Sequence, residues 1–193
     1  TSVSARGDLS RYINSASNTD MNNPTTPTTW GPMYTGIERA NICIRGLRTY
    51  GNPQPGNEMG QLLGEALTLR AVYYADLLKA FGDVVARFEP ISSVTMDLAK
   101  SDRGIIYKQI IADLAEASTL VAWPNETSAT TSTERINKAF VKAFRARLCL
   151  AAAGYSQYPD GIRRSDNPDL TVEKLYPIAL QECKDLMNGK ARL

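Results

Sequence analysis

GEALTLRAVYYADLLKAFGDVV, Gly64 to Val85, sets an acid, an arginine, two adjacent tyrosines and a Gly-Asp pair in one run, so it reads either as a reactive cluster or as a buried helix. Advancing about 100° per residue gathers Glu65, Thr68, Asp76 and Lys79 on one narrow side together with Val72. Nearly everything else is apolar. A helix that is apolar around most of its circumference has to be covered on more than one side, so this stretch, within a helix expected over about Gly60 to Phe81, belongs inside a layered helical array. Its arginine, Arg70, projects from the apolar side, where a guanidinium needs a carboxylate partner. Tyr73 and Tyr74 point to different sides and read as packing residues.

The flanking sequence repeats the helical pattern. Met33, Ile37, Ala40, Ile44 and Leu47 keep spacings of three and four from Met33 to about Tyr50. A third helix is expected from a Ser101 cap to about Val121, with Ile106, Ile110, Leu114 and Ala117 on one side. The fourth starts near an Asn137 cap, with Ala139, Ala143 and Ala146 as a small-residue face and Phe140, Phe144 and Leu148 as bulk. A fifth runs from about Val172 to Asn188 and stops at Gly189. No segment sustains a period of two, although VVARFEPI, Val84 to Ile91, could be extended. The fold class expected is all-α, as stacked helix pairs or as a simple bundle. Residues 1–29, rich in Ser, Thr, Asn and Pro, are expected to form a polar loop segment ahead of a helical domain over 30–193.

Composition removes several functions. The 193 residues are 43% hydrophobic, enough for a core, and 22 basic against 20 acidic residues leave a formal charge of +2 with no block of like charge. Nucleic acid is therefore not an expected partner. The absence of histidine removes the commonest general base, nucleophile activator and zinc ligand. Cys43, Cys149 and Cys183 are far apart in sequence and each has apolar neighbours, so they draw no CxxC pair and no metal cluster; they read as small buried hydrophobes. No cofactor or metal is expected. No apolar run approaches the roughly 20 residues that span a bilayer. With no initiator Met, the chain is expected to be part of a longer protein.

Five stretches together resemble one family, in order. WGPMYTGIERANICI from Trp30, the Gly64 to Val85 stretch, SDRGIIYKQIIADLAEA from Ser101, RINKAFVKAFRARLCLAAAGY from Arg135 and VEKLYPIALQECKDLM from Val172 are similar to successive helices of the SusD/RagB outer-membrane lipoproteins of Bacteroidetes-type bacteria. Val85 stands where the family has proline, Glu134 where it has glycine, and the family's long carboxyl-terminal half is missing. The resemblance implies a TPR-like array of helix pairs, a surface-exposed protein on a lipid anchor upstream of this chain, and non-catalytic capture of glycans beside a TonB-dependent transporter. It also implies that Arg70 pairs with Asp113 and that Trp30 is a structural motif residue. Trp123, before Pro124, is expected as a hydrophobic cap at a helix end.

Sugar binding calls for exposed aromatic faces with amide, carboxylate or guanidinium groups nearby. Two regions supply them: Asn18, Asp20, Asn22 and Asn23 together with Trp30, whose ring is a candidate sugar contact beside its motif role, and Tyr155, Tyr158, Asp160, Arg163 and Arg164 after the fourth helix. Glycoside hydrolysis would need two carboxylates about 5 to 10 Å apart across a cleft, and no distinctive motif holds such a pair, so an enzyme is not expected. Two other readings stay open: a helical-repeat scaffold that binds a protein or peptide in its groove, and a carboxylate-based hydrolase.

Overall fold

The computed structural model describes residues 29–132 and 134–189. Five helices dominate them: α1 (Trp30–Gly46), α2 (Glu58–Phe81), α3 (Arg103–Leu120), α4 (Lys138–Ala153) and α5 (Val172–Asn188). Each packs chiefly on the next in sequence, as in an array of antiparallel helix pairs. The fold is all-α and TPR-like, with one short addition. Ser156–Tyr158 (β1) and Gly161–Arg163 (β2) form a two-stranded antiparallel hairpin in the segment after α4, which the sequence reading treated as loop. The turn residues Pro159 and Asp160, followed by Gly161 at φ 131°, are the local signal for it. Among the described residues no helix is long and apolar enough to cross a membrane.

The central helix is α2. Asn57 caps it, its side-chain oxygen accepting from Gly60 N at 2.7 Å, and 24 residues carry it about 36 Å to a stop at Gly82, φ 72°. Half of its residues are buried, because α1 and α3 cover it from two sides. Gly64 lets α3 approach: a side chain there would run into Val121. The exposed strip differs from the one expected. Thr68 is fully buried, its hydroxyl satisfied by Gly64 O at 2.7 Å, while Leu69 is exposed. A threonine that can donate to the carbonyl one turn back needs no water.

Three further expectations are corrected. The cap of α3 is Asp102, whose carboxylate accepts from Gly104 N at 2.7 Å. Ser101 instead makes an isolated antiparallel bridge with Val84, its N–H donating to Val84 O at 2.9 Å. Cys43 and Cys183 are exposed, and only Cys149 is buried, with desolvation raising its thiol to about 11. On α4, Ala143 and Phe140 face outward and Phe140 stacks on Phe144; the buried face is Val141, Ala146, Leu148, Cys149, Ala152 and Ala153. Beyond the hairpin, α5 anchors to α4 through Glu182, which takes Lys142 at 2.7 Å and Arg145 as well.

An extended segment, residues 84–89, crosses the α1–α2 pair and, among the described residues, has no strand beside it except at Val84. Its backbone groups still need partners. Side chains of the two helices provide them: Tyr34 Oη donates to Val85 O at 2.8 Å, and Asn41 Nδ2 to Arg87 O at 3.1 Å and Glu89 O at 3.2 Å. Tyr74 Oη accepts from Arg87 N at 2.7 Å and donates to Arg87 O at 2.8 Å. Arg70 completes the strap. Its Nη1 donates to Phe88 O at 2.9 Å and to Asn41 Oδ1 at 2.8 Å, while Nε and Nη2 each donate to the Asp113 carboxylate at 2.9 Å. Arg70 and Asp113 are 3% and 2% exposed, so this is a buried ion pair with nearly every polar atom matched.

Candidate functional site

The arginine of the central stretch is thereby assigned to structure, and so are the hydroxyls of Tyr74 and of Tyr34 on α1. Burial pushes Tyr34 up to about 12 and raises Tyr74 further, so both stay neutral donors through the physiological range. A site has to be sought where polar and aromatic groups remain accessible.

Such a place lies at the carboxyl end of α2. A cleft of about 670 Å³ opens between that end, the start of α3, the last turns of α4 and the hairpin. From α2 it takes Asp76, Lys79 and Phe81, and from α3 Arg103 and Tyr107. Phe144 and Arg147 come from α4, and Tyr155 and Gln157 from the chain leading into the hairpin. Helical spacing explains the grouping on each helix: Asp76 and Lys79 are three apart, as are Phe144 and Arg147, so each pair shares a face.

The cleft's floor is fixed by Arg103. Its Nε donates to Asp83 Oδ1 at 2.9 Å, and its guanidinium lies over the Tyr158 ring, 4.3 Å from the centroid. Asp83 loses some solvation here, but the bonds from Arg103 prevail and hold its carboxyl below the usual range. Arg163 lies over the same ring at 4.0 Å and pairs with Asp160 and Asp166, which closes the hairpin on itself. Tyr158 is consequently buried, 5% exposed, and covered by cations. Its hairpin neighbour differs. Tyr155 is 69% exposed, with the Arg164 guanidinium 4.9 Å from its ring centroid.

The remaining sequence-derived residues fall elsewhere. Trp30 is 38% exposed and packs edge-on against Phe81 at 5.1 Å and tilted on Tyr34 at 5.0 Å, so it closes the aromatic stack at the end of α2. Through Phe81 it adjoins the cleft wall. Trp123 is remote from the cleft and covers the α3–α4 connection, near Lys138 and Gly189. Asn18, Asp20, Asn22 and Asn23 lie outside the described residues. Asp76, Lys79, Tyr107, Phe144 and Arg147 were not expected as site residues, Asp76 and Lys79 reading only as the polar side of α2 and Phe144 as bulk on α4. Each sits within an unbroken helical pattern, and only the packing of α2, α3 and α4 brings them together.

A family model described as "Starch-binding associating with outer membrane", SusD-like, matches residues 2–150. The chain belongs to the SusD-like family. Among solved structures it is similar to a laminarin-binding SusD-like protein, with 26% identity and a TM-score of 0.55 over 70% of this chain and 31% of that one. A SusD homologue from Bacteroides thetaiotaomicron VPI-5482 matches at 21% identity and a TM-score of 0.67, over 89% of this chain and 32% of that one. A structure with xylogluco-oligosaccharide matches at 20% identity and a TM-score of 0.63, over 86% of this chain and 30% of that one. The chain thus spans about a third of the length of these SusD-like structures. A search of curated proteins found no match.

Proposed function

We propose that this chain is the helical portion of a non-catalytic glycan-binding protein of the bacterial outer-membrane surface, lipid-anchored in its precursor, which holds oligo- or polysaccharide for delivery to a TonB-dependent, SusC-like transporter. Family membership supports the class of function, and the laminarin-binding relative supports a saccharide as ligand. The single structural observation that carries it is Tyr155. Its exposed ring borders a cleft that also holds hydrogen-bonding groups on Asp76, Arg147 and Gln157. An aromatic face takes the apolar C–H side of a sugar ring while such groups take its hydroxyls.

Within this reading Tyr155 contacts the ligand, Tyr158 positions the hairpin that carries it, and Trp30 sets the end of α2. Asp20, Asn22 and Asn23 are proposed as further ligand contacts from the stretch ahead of Trp30. The cleft supports binding over hydrolysis, since Asp76 is the one carboxylate among its described lining residues and glycosidases need two. Titration calorimetry of the intact protein against a panel of oligosaccharides and polysaccharides tests the proposal. Saturable binding without sugar release on prolonged incubation is the expected result. Binding of a peptide and of no glycan would favour an interaction scaffold instead.

A further inference from the structure

The cations around the cleft are of two kinds. Arg103 and Arg163 have acidic partners, Asp83 for the first and Asp160 and Asp166 for the second. Lys79 and Arg147 are exposed, line the cleft, and have no acidic partner within ion-pair distance among the described residues. Arg164, which interacts with Glu173, lies over the Tyr155 ring outside the lining. With Arg103 offset by Asp83, the lining leaves Lys79 and Arg147 against Asp76, a net positive charge on a chain that is otherwise close to balanced, at +2. A concave wall with an excess of one sign of charge favours the opposite sign in whatever enters, and a guanidinium is shaped to take a carboxylate or a sulfate through two parallel hydrogen bonds.

Resting on the saccharide-binding reading above, we infer that this cleft selects sugars bearing an acidic group, carboxylate or sulfate, with Arg147 and Lys79 on the anion and Tyr155 on the ring. A neutral sugar would meet the aromatic face but leave both cations without a partner. An acidic one meets both. The cations stand on two different helices, α2 and α4, beside Phe144 and Tyr155, so the anion and the ring would be recognised in one pocket.

The test is a set of paired titrations of the intact protein near 0.15 M salt (about the physiological ionic strength). Oligomers of polygalacturonate are compared with their methyl esters, and oligomers of dextran sulfate with dextran, which separates carboxylate from sulfate. We expect at least one acidic member to bind about tenfold more tightly than its neutral counterpart, as a charge-assisted bond gives, with the preference shrinking as salt rises. Lys79→Glu/Arg147→Glu should erase the preference. The milder Lys79→Gln/Arg147→Gln variant, checked for an unchanged melting transition, should reduce it. Equal binding within both pairs would overturn the inference while leaving saccharide binding intact, and so would a preference that survives charge reversal. Displacement of the acidic sugar by poly-glutamate at equal concentration would assign the cations to an acidic peptide. Failure to bind any of the four would overturn this inference alone if other saccharides of the wider panel bind, and the function it rests on as well if none does.

Discussion

Arg70 and Arg147 show how the same side chain is used in two regions of one molecule. Arg70 is 3% exposed, and its guanidinium is divided among Asp113, Asn41 and the Phe88 carbonyl. Arg147 is exposed at a cleft and has no acidic partner among the described residues. Around the first, helix side chains bond much of the backbone of residues 84–89, which beyond Val84 has no neighbouring strand among the described residues. Around the second, charges and rings are left open. Saturated polar groups hold a structure together and are costly to disturb, whereas open ones cost little to the fold and are free to meet a ligand.

The difference is broken most severely at Arg70. Arg70→Met should destabilise the protein by about 3–5 kcal/mol in urea denaturation, because it leaves the Asp113 carboxylate buried without its cation. Burial already raises that carboxyl above its ordinary range against the pull of Arg70. Adding Asp113→Leu should recover part of the loss, and a double variant no better than the single one would show that the pair is not the source. Tyr74→Phe comes next, at about 1–3 kcal/mol, since it strands the Arg87 N–H beneath α2. At the cleft the effect should move from stability to affinity. Tyr155→Ala should change unfolding by no more than about 0.5 kcal/mol, while weakening saccharide binding about tenfold.

Smaller effects sharpen the same contrast. Asp169 is held at about 2 by hydrogen bonds from Lys108 and Lys174, below its ordinary 3.8. A depressed folded value means that this contribution is fully present above pH 3.8 and is lost as pH falls through about 2. Asp169→Asn should therefore lower stability slightly at neutral pH, where the contribution is complete, and flatten the acid limb so that variant and wild type converge below about pH 2. Thiol labelling gives the smallest perturbation. Cys43 and Cys183 should alkylate in the folded protein, and Cys149, buried and with its thiol raised to about 11, should react only after unfolding.

Much of the scaffold is legible in the sequence because helical periodicity is local. Ile37 and Ile44 on α1, and Ile106, Ile110 and Leu114 on α3, are buried where their spacing places them. The need of Arg70 for a carboxylate is likewise readable, since no guanidinium survives alone on an apolar face. What escapes is decided by single hydrogen bonds or by distant segments. Thr68 reads as exposed until its bond to Gly64 O is known, and Ser101 reads as a cap until Val84 takes it. Phenol hydroxyls that serve the backbone of residues 84–89 leave no trace in periodicity. The cleft is less legible still, because its walls come from three helices and a hairpin. Tyr155 and Tyr158 look equivalent in sequence, and only the guanidinium groups over Tyr158 separate a structural ring from an accessible one.

A division of binding chemistry to the open end of α2 and of structural chemistry to its closed middle predicts that each can be perturbed without the other. Parallel calorimetry of the wild type and Tyr155→Ala, with the same oligosaccharide and a melting curve on each sample, tests it most directly. An unchanged melting transition with affinity reduced about tenfold is the predicted result. Unaltered affinity in a folded Tyr155→Ala protein would contradict it.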